Sequence, residues 1–149
     1  MTESKEETPL RLREANRQAR GFETVRAAHQ REVAEDYVEM IADLLDVAGE
    51  ARSVDIAERM GVTTATVNTT LNRLIRDGLV RKEPYRSIFL TDRGRGLAET
   101  ARARHQVVRD FLLALGIDRE TAESDAEGIE HHISEVTLTA LKRFVAERN

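Results

Sequence analysis

The sequence predicts a mainly α fold in which a winged helix-turn-helix is followed by helices alone, and three observations predict it. Apolar residues recur every three or four positions through most of the chain after Gly21. Two short β-type runs, Leu79-Val80 and Ile88-Phe89-Leu90, flank the turn-rich stretch KEPYRS. Glycines at positions 49, 61, 78 and 116 punctuate the helical patterns, as helix C-termini require.

Taken in order, residues 1 to 20 are polar with Pro9 and no apolar period, and read as a flexible N-terminal arm. From Gly21 to Gly49 a helix is expected, with Tyr37, Val38, Ile41, Leu44 and Leu45 on its apolar stripe. Ser53 is expected to cap a short helix through Met60, which Gly61 breaks. Val62 to Asp77 reads as the next helix, capped by Thr63 and burying Val67, Leu71, Leu74 and Ile75. Pro84 suits the tip or edge of the hairpin that follows. Thr91 or Asp92 then caps a long helix to about Leu115, with Leu97, Val107, Val108, Phe111, Leu112 and Leu115 apolar. Asp118 and Ser134 cap two further helices, the second carrying Val136, Leu138, Leu141, Phe144 and Val145. The organisation expected is therefore an arm over 1–20, a winged unit over 21–95 and a helical unit over 96–149.

Composition narrows the function classes. With 40% hydrophobic and 34% charged residues, two Tyr, four Phe and no Trp, the core must be mostly aliphatic. The absence of Cys removes disulfides and thiolate chemistry, so any metal would be held by oxygen and imidazole. No apolar run approaches the roughly 20 residues that cross a bilayer, and Met1 to Leu10 is acidic. A cytoplasmic protein without membrane contact is expected. The net charge is −4, but it is unevenly spread. Nine Lys/Arg face five Asp/Glu between Arg52 and Arg95, whereas eight acids face four bases from Asp118 onward. One part suits phosphate and the other cations.

The order short helix, glycine turn, polar-faced helix, hairpin is that of a winged helix-turn-helix, whose second helix enters the DNA major groove. Thr63, Thr64, Thr66, Asn68, Thr69 and Asn72 offer hydroxyls and amides for base edges, while Arg73, Arg76, Lys82 and Arg86 are placed for phosphates. Double-stranded DNA is the expected partner, with Thr63, Thr64, Thr66, Asn68, Thr69, Asn72, Arg73 and Arg86 as the candidate contacts.

The stretch EGIEHH carries the other chemistry. Residues three and four apart share a helical face, so Glu127, Glu130 and His131 can converge. Asp36 and Glu39 have the same spacing on the first main helix, and His105 can face inward from the long one. Together they offer four carboxylates and two imidazoles. Such a set suits Mn(II), with Fe(II) a near competitor; Zn(II) would bind but prefers four ligands. Crowding these acids without metal is costly. His29 and His132 are read as structural or supporting groups rather than ligands.

On the residues EDYVEMIADLL, DIAERMGVTTATVNTTLNRLIRDGLV, FLTDRGRGLA, RHQVVRDFLLALG and DAEGIEHHIS, the chain resembles the manganese transport regulator branch of the diphtheria-toxin-repressor-like metalloregulators. The resemblance covers about residues 33 to 147. It implies a winged helix-turn-helix DNA-binding domain followed by an all-helical dimerisation domain, and a homodimer on a palindromic operator. It also implies repression of manganese uptake genes when metal is loaded, with no enzymatic activity. For the site it implies a binuclear centre, two Mn(II) per subunit, made of Asp36, Glu39, His105, Glu127, Glu130 and His131. Where iron-sensing relatives place sulfur, this chain has Asp36 and Glu127, so hard oxygen replaces soft sulfur. The alternatives are an iron-responsive repressor and a metal-independent winged-helix repressor. The N-terminal extension of roughly 30 residues is a departure from the shorter members.

Overall fold

The computed structural model describes residues 11–148, and the Arg86 side chain is not among what it describes. Helix α1 spans Ala15–Ala48, so it begins inside the stretch expected to be an arm. The residues from Ala15 to Arg20 lack an apolar stripe but are mostly strong helix formers, and they extend a helix already nucleated further along. The rest of that stretch, residues 1–10, lies outside the described residues. Gly49 ends α1 at φ +78°, a conformation that costs glycine nothing.

Helix α2 (Ser53–Met60) is not capped by Ser53 as expected. Ser53 is its first helical residue, and its hydroxyl donates instead to Asn68 Oδ1 at 2.9 Å, a partner fifteen positions away that local sequence does not reveal. Helix α3 (Thr64–Arg76) is capped by Thr63, which accepts from the Thr66 amide at 3.1 Å. Val67, Leu71 and Leu74 are buried, but Ile75 is at the rim, 36% exposed. Strands β1 (Val80–Lys82) and β2 (Ile88–Leu90) pair antiparallel, Val80 opposite Leu90 and Lys82 opposite Ile88, with a 3-10 turn over Pro84–Arg86 between them.

Helix α4 (Asp92–Ala114) starts immediately after the wing, capped by Thr91 through the Gly94 amide at 3.1 Å. The same hydroxyl donates to the Gly78 carbonyl at 2.7 Å. A side chain at Gly94 would bring its Cβ within 2.0 Å of the Leu79 carbonyl oxygen, so α4 lies directly against the backbone that leads into β1. Helices α5 (Arg119–Ile129) and α6 (Glu135–Arg148) follow, with Asp118 and Ser134 accepting from the Thr121 and Thr137 amides at 3.0 and 3.2 Å.

Two apolar interiors result. One gathers Tyr37, Val38 and Ile41 of α1 with Ile56, Val67, Leu71, Leu74, Ile88 and Leu90, and extends to Ala98 of α4. The other is smaller: Val108, Ala126 and Leu138, edged by Val107, Leu112, Ile133 and Leu141. Leu115 and Val136, expected to be apolar packing positions, are 54% and 81% exposed, because α5 and α6 cover only part of α4.

Candidate metal centre and nucleic-acid interface

Between the two interiors, α1, α4 and the end of α5 converge on a cluster of acids and imidazoles. Helix α5 stops at Ile129, and Glu130 and His131 lie in the turn that follows, Glu130 still in the αR conformation with its amide bonded to the Ala126 carbonyl at 3.0 Å. Both side chains are buried. Arg104 of α4 holds this turn in place, donating to the Glu130 and Ile133 carbonyls at 3.3 and 3.1 Å and pairing with Glu135.

Glu130 stands between two groups of donors. Its Oε2 is 3.6 Å from His105 Nδ1, which is 3.4 Å from Glu127 Oε1. Its Oε1 is 3.3 Å from His131 Nε2, which is 3.0 Å from Asp36 Oδ1. Glu39 lies near enough to Asp36 and Glu127 for both acids to act on it electrostatically. All six residues expected from the sequence are thus brought to one centre. Among the described residues, His105, Glu127 and Glu130 form one group and Glu32, Asp36 and His131 another; in each, the donor atoms lie within 4.8 Å of one another.

The fit to a metal rests on unmet polar atoms. Glu39 Oε1, both Glu130 oxygens, His105 Nδ1 and His131 Nε2 are buried without a hydrogen-bond partner among the described residues. An orphaned carboxylate of this kind costs several kcal/mol unless neutralised, on the order of the penalty for burying an uncompensated ion. The opposite nitrogen of each imidazole is already engaged. His105 Nε2 donates to Glu123 at 2.6 Å and His131 Nδ1 to Glu35 at 2.6 Å. Such carboxylate partners orient each ring so that its other nitrogen, once it gives up its proton, faces the place a cation would take.

Protonation follows from the same crowding. Burial, with Glu39 and Glu127 close by, pushes the Glu130 carboxyl up to about 9. Burial, then Glu127 and Asp36, push Glu39 up to about 7. Burial of the His131 ring disfavours its charged form, but Asp36 and Glu35 outweigh that and carry it up to about 10. Glu32 goes the other way: despite its burial, hydrogen bonds from His132 and His29 hold it below the usual carboxylate range.

Glu35, Glu123, Glu32 and Arg104 were not singled out from the sequence. Glu123 had a legible signal, lying one turn before Glu127 on the same face of α5. The partners of the others lie up to about a hundred positions away.

At the other end of the molecule, Thr64, Thr66, Asn72 and Arg73 are exposed on α3. Thr63 spends its hydroxyl on the cap, Thr69 donates to the Ala65 carbonyl at 3.0 Å, and Asn68 accepts from Ser53. The Arg86 side chain lies outside the described residues. An open cleft of about 450 Å³ separates α3 from the wing, lined by Ser53, Thr64, Asn68, Lys82 and Tyr85. Tyr85 was not anticipated: at the wing tip it is almost fully exposed and adopts φ +68°, a left-handed conformation unusual for a bulky residue.

The chain matches two family descriptions. Residues 30–88 match "Iron dependent repressor, N-terminal DNA binding domain", and residues 91–148 match "Iron dependent repressor, metal binding and dimerisation domain". It is 52% identical over 124 residues to the transcriptional regulator MntR of Escherichia coli O157:H7, covering 83% of this chain and 80% of that one. The HTH-type transcriptional regulator MntR of Bacillus subtilis strain 168 is 38% identical over 100 residues, covering 67% and 70%. Among solved structures, the manganese regulator SloR aligns with a TM-score of 0.68 at 28% identity, and a manganese-dependent transcriptional repressor in complex with manganese at 0.69 and 27%. Each alignment covers 76% of this chain, which spans about half the length of those two solved chains (53% and 52%).

Proposed function

The chain belongs to the iron dependent repressor family, and from that premise we propose that it is a cytoplasmic, manganese-responsive repressor of manganese uptake genes, working as a homodimer on a palindromic operator. The observation that carries the metal half is the set of buried, unpartnered donor atoms on Asp36's neighbours in space, Glu39, His105, Glu130 and His131. Four carboxylates and two imidazoles with no sulfur favour Mn(II) over Fe(II). Asp36, Glu39, His105, Glu127, Glu130 and His131 would hold two divalent ions per subunit, with Glu130 standing between the two groups of donors. Bound there, the ions supply the positive charge that lets these acids lie side by side.

The chain's own residues do the rest. Asp36 ties α1 to the turn after α5 through His131, at 3.0 Å, and His105 of α4 comes within 3.6 Å of Glu130 at the same point. Arg102 of α4 reinforces the junction by pairing with Asp43 and with Asp46 of α1, the latter at 3.5 Å. With α1 and α4 held at one spacing, the winged units of a dimer are set at one separation, which simultaneous half-site binding requires. On each unit, Thr64, Thr66 and Asn72 would face base edges, and Arg73, Lys82 and Arg86 phosphates, with Thr63, Asn68 and Thr69 orienting the helix.

The test is a titration of Mn(II), anaerobic Fe(II), Zn(II) and Ca(II) into metal-free protein, read as binding to a manganese-transporter promoter fragment at fixed salt. Mn(II) is expected to tighten DNA binding by at least about tenfold, and DNA to tighten Mn(II) by the same factor, since the coupling is reciprocal. Asp36→Ala and Glu130→Ala should abolish the response. Equal binding with and without metal would overturn the sensor reading and leave a metal-independent DNA binder.

A further inference from the structure

Beside the six-residue centre, but outside it, lies a second arrangement of ligand-type side chains. His29 and Glu32 sit three positions apart on α1, and His132 reaches the same carboxylate from the turn after α5. Glu32 Oε2 is 3.2 Å from His29 Nδ1 and 3.1 Å from His132 Nε2. We propose that His29, Glu32 and His132 form a third cation site, of the zinc class, bridging α1 and that turn.

Both separations from Glu32 fit the chemistry. Bonds of about 2.0–2.2 Å in tetrahedral geometry put neighbouring donor atoms roughly 3.3–3.5 Å apart, close to the distances on both sides of Glu32. The two neighbouring histidines serve different centres: His131 is fully buried and turns Nε2 toward Asp36 and Glu130, whereas His132 is partly exposed and turns its ring toward Glu32. Glu32 also belongs, with Asp36 and His131, to one of the donor groups of the main centre, so the third site abuts it through a shared residue. Two neutral imidazoles and a single carboxylate make a nitrogen-rich site of low charge, suited to Zn(II) or Co(II) rather than to Mn(II). His29 is mostly exposed, which leaves the remaining position open to water. An ion here would add a second cross-link between the elements that the main centre joins, under the control of a different metal.

The proposal does not depend on the reading of the six-residue centre, and the test separates them. Metal-free full-length protein is dialysed against Zn(II), and bound metal is counted by mass spectrometry for the wild type, His29→Ala/His132→Ala and Glu130→Gln. The double variant is expected to hold one Zn(II) equivalent fewer than the wild type. In the Glu130→Gln background, Co(II) is expected to give the intense visible absorption of a four-coordinate site, lost when both histidines are removed as well. Identical Zn(II) counts in wild type and double variant would overturn the third site. A count that falls in the double variant but not in Glu130→Gln would instead sink the six-residue centre. Glu32→Gln, made in the Glu130→Gln background, provides the second check, since it keeps the size of the side chain while weakening the ligand, and it should lose the same Co(II) absorption.

Discussion

At its N-terminal end α4 meets an interior of sixteen buried apolar residues, whereas further along it faces a cluster of three, next to a fully buried carboxylate and imidazole. The first interior is stabilised by burial whatever the solution contains. Each fully buried Leu or Ile there contributes about 1.5–3 kcal/mol. The second has little apolar area to draw on and holds donor atoms with no hydrogen-bond partner among the described residues. The same helix therefore joins a region held by apolar burial to one built around buried acids that a cation would neutralise.

The largest effect that would break this contrast comes from the first interior. Leu71→Ala, in the middle of α3 and 1% exposed, should cost about 2–5 kcal/mol, and thermal unfolding should show the same loss in EDTA and in Mn(II). Rescue by Mn(II) would mean that the two regions are not separable. Next comes Glu130→Gln. Wild-type protein at Mn(II) a hundredfold above its Kd should gain about 2.7 kcal/mol per site, and the variant should lose that gain while its metal-free form melts higher, because one buried acid is gone. A variant that kept the metal-dependent shift would rule out Glu130 as a ligand.

A smaller effect is expected with pH. Glu39, Glu130 and His131 keep their protons to higher pH in the fold than in an unfolded chain. The metal-free fold thus binds more protons than its unfolded state, so its stability should fall as pH rises, from the ordinary carboxylate range up to about 9–10. Metal loading requires these groups to give up about two to three protons near neutral pH, so the gap in Tm between Mn(II) and EDTA samples should widen from pH 6 to 8.5. A metal-free Tm that climbs over this range would contradict the assignment. The smallest effect belongs to the residues behind the ligands. Glu35→Gln or Glu123→Gln should weaken Mn(II) about tenfold by calorimetry, with metal-free stability little changed.

Features set by neighbours along the chain were legible in the sequence. Thr63, Thr91, Asp118 and Ser134 cap where expected, because an N-cap needs only an amide two or three residues on. The four candidate acids were legible as two pairs because helical spacing aligns Asp36 with Glu39 and Glu127 with Glu130. What was not legible depends on partners distant in sequence. Ser53 leaves its own helix for Asn68, Glu35 meets His131, and Arg104 finds the carbonyls of a turn on another element. Ile75, Leu115 and Val136 misled for the reverse reason: their period is helical, but no element among the described residues covers them.

The seating of Gly94 against the Leu79 carbonyl makes that end of α4 a pivot rather than a sliding contact. From Gly94 to His105 is roughly 16 Å at the helical rise, so a displacement of 2 Å at His105 would swing the rod by about 7°. An alanine at position 94 would move the fulcrum itself, altering the angle of the wing without touching a single ligand.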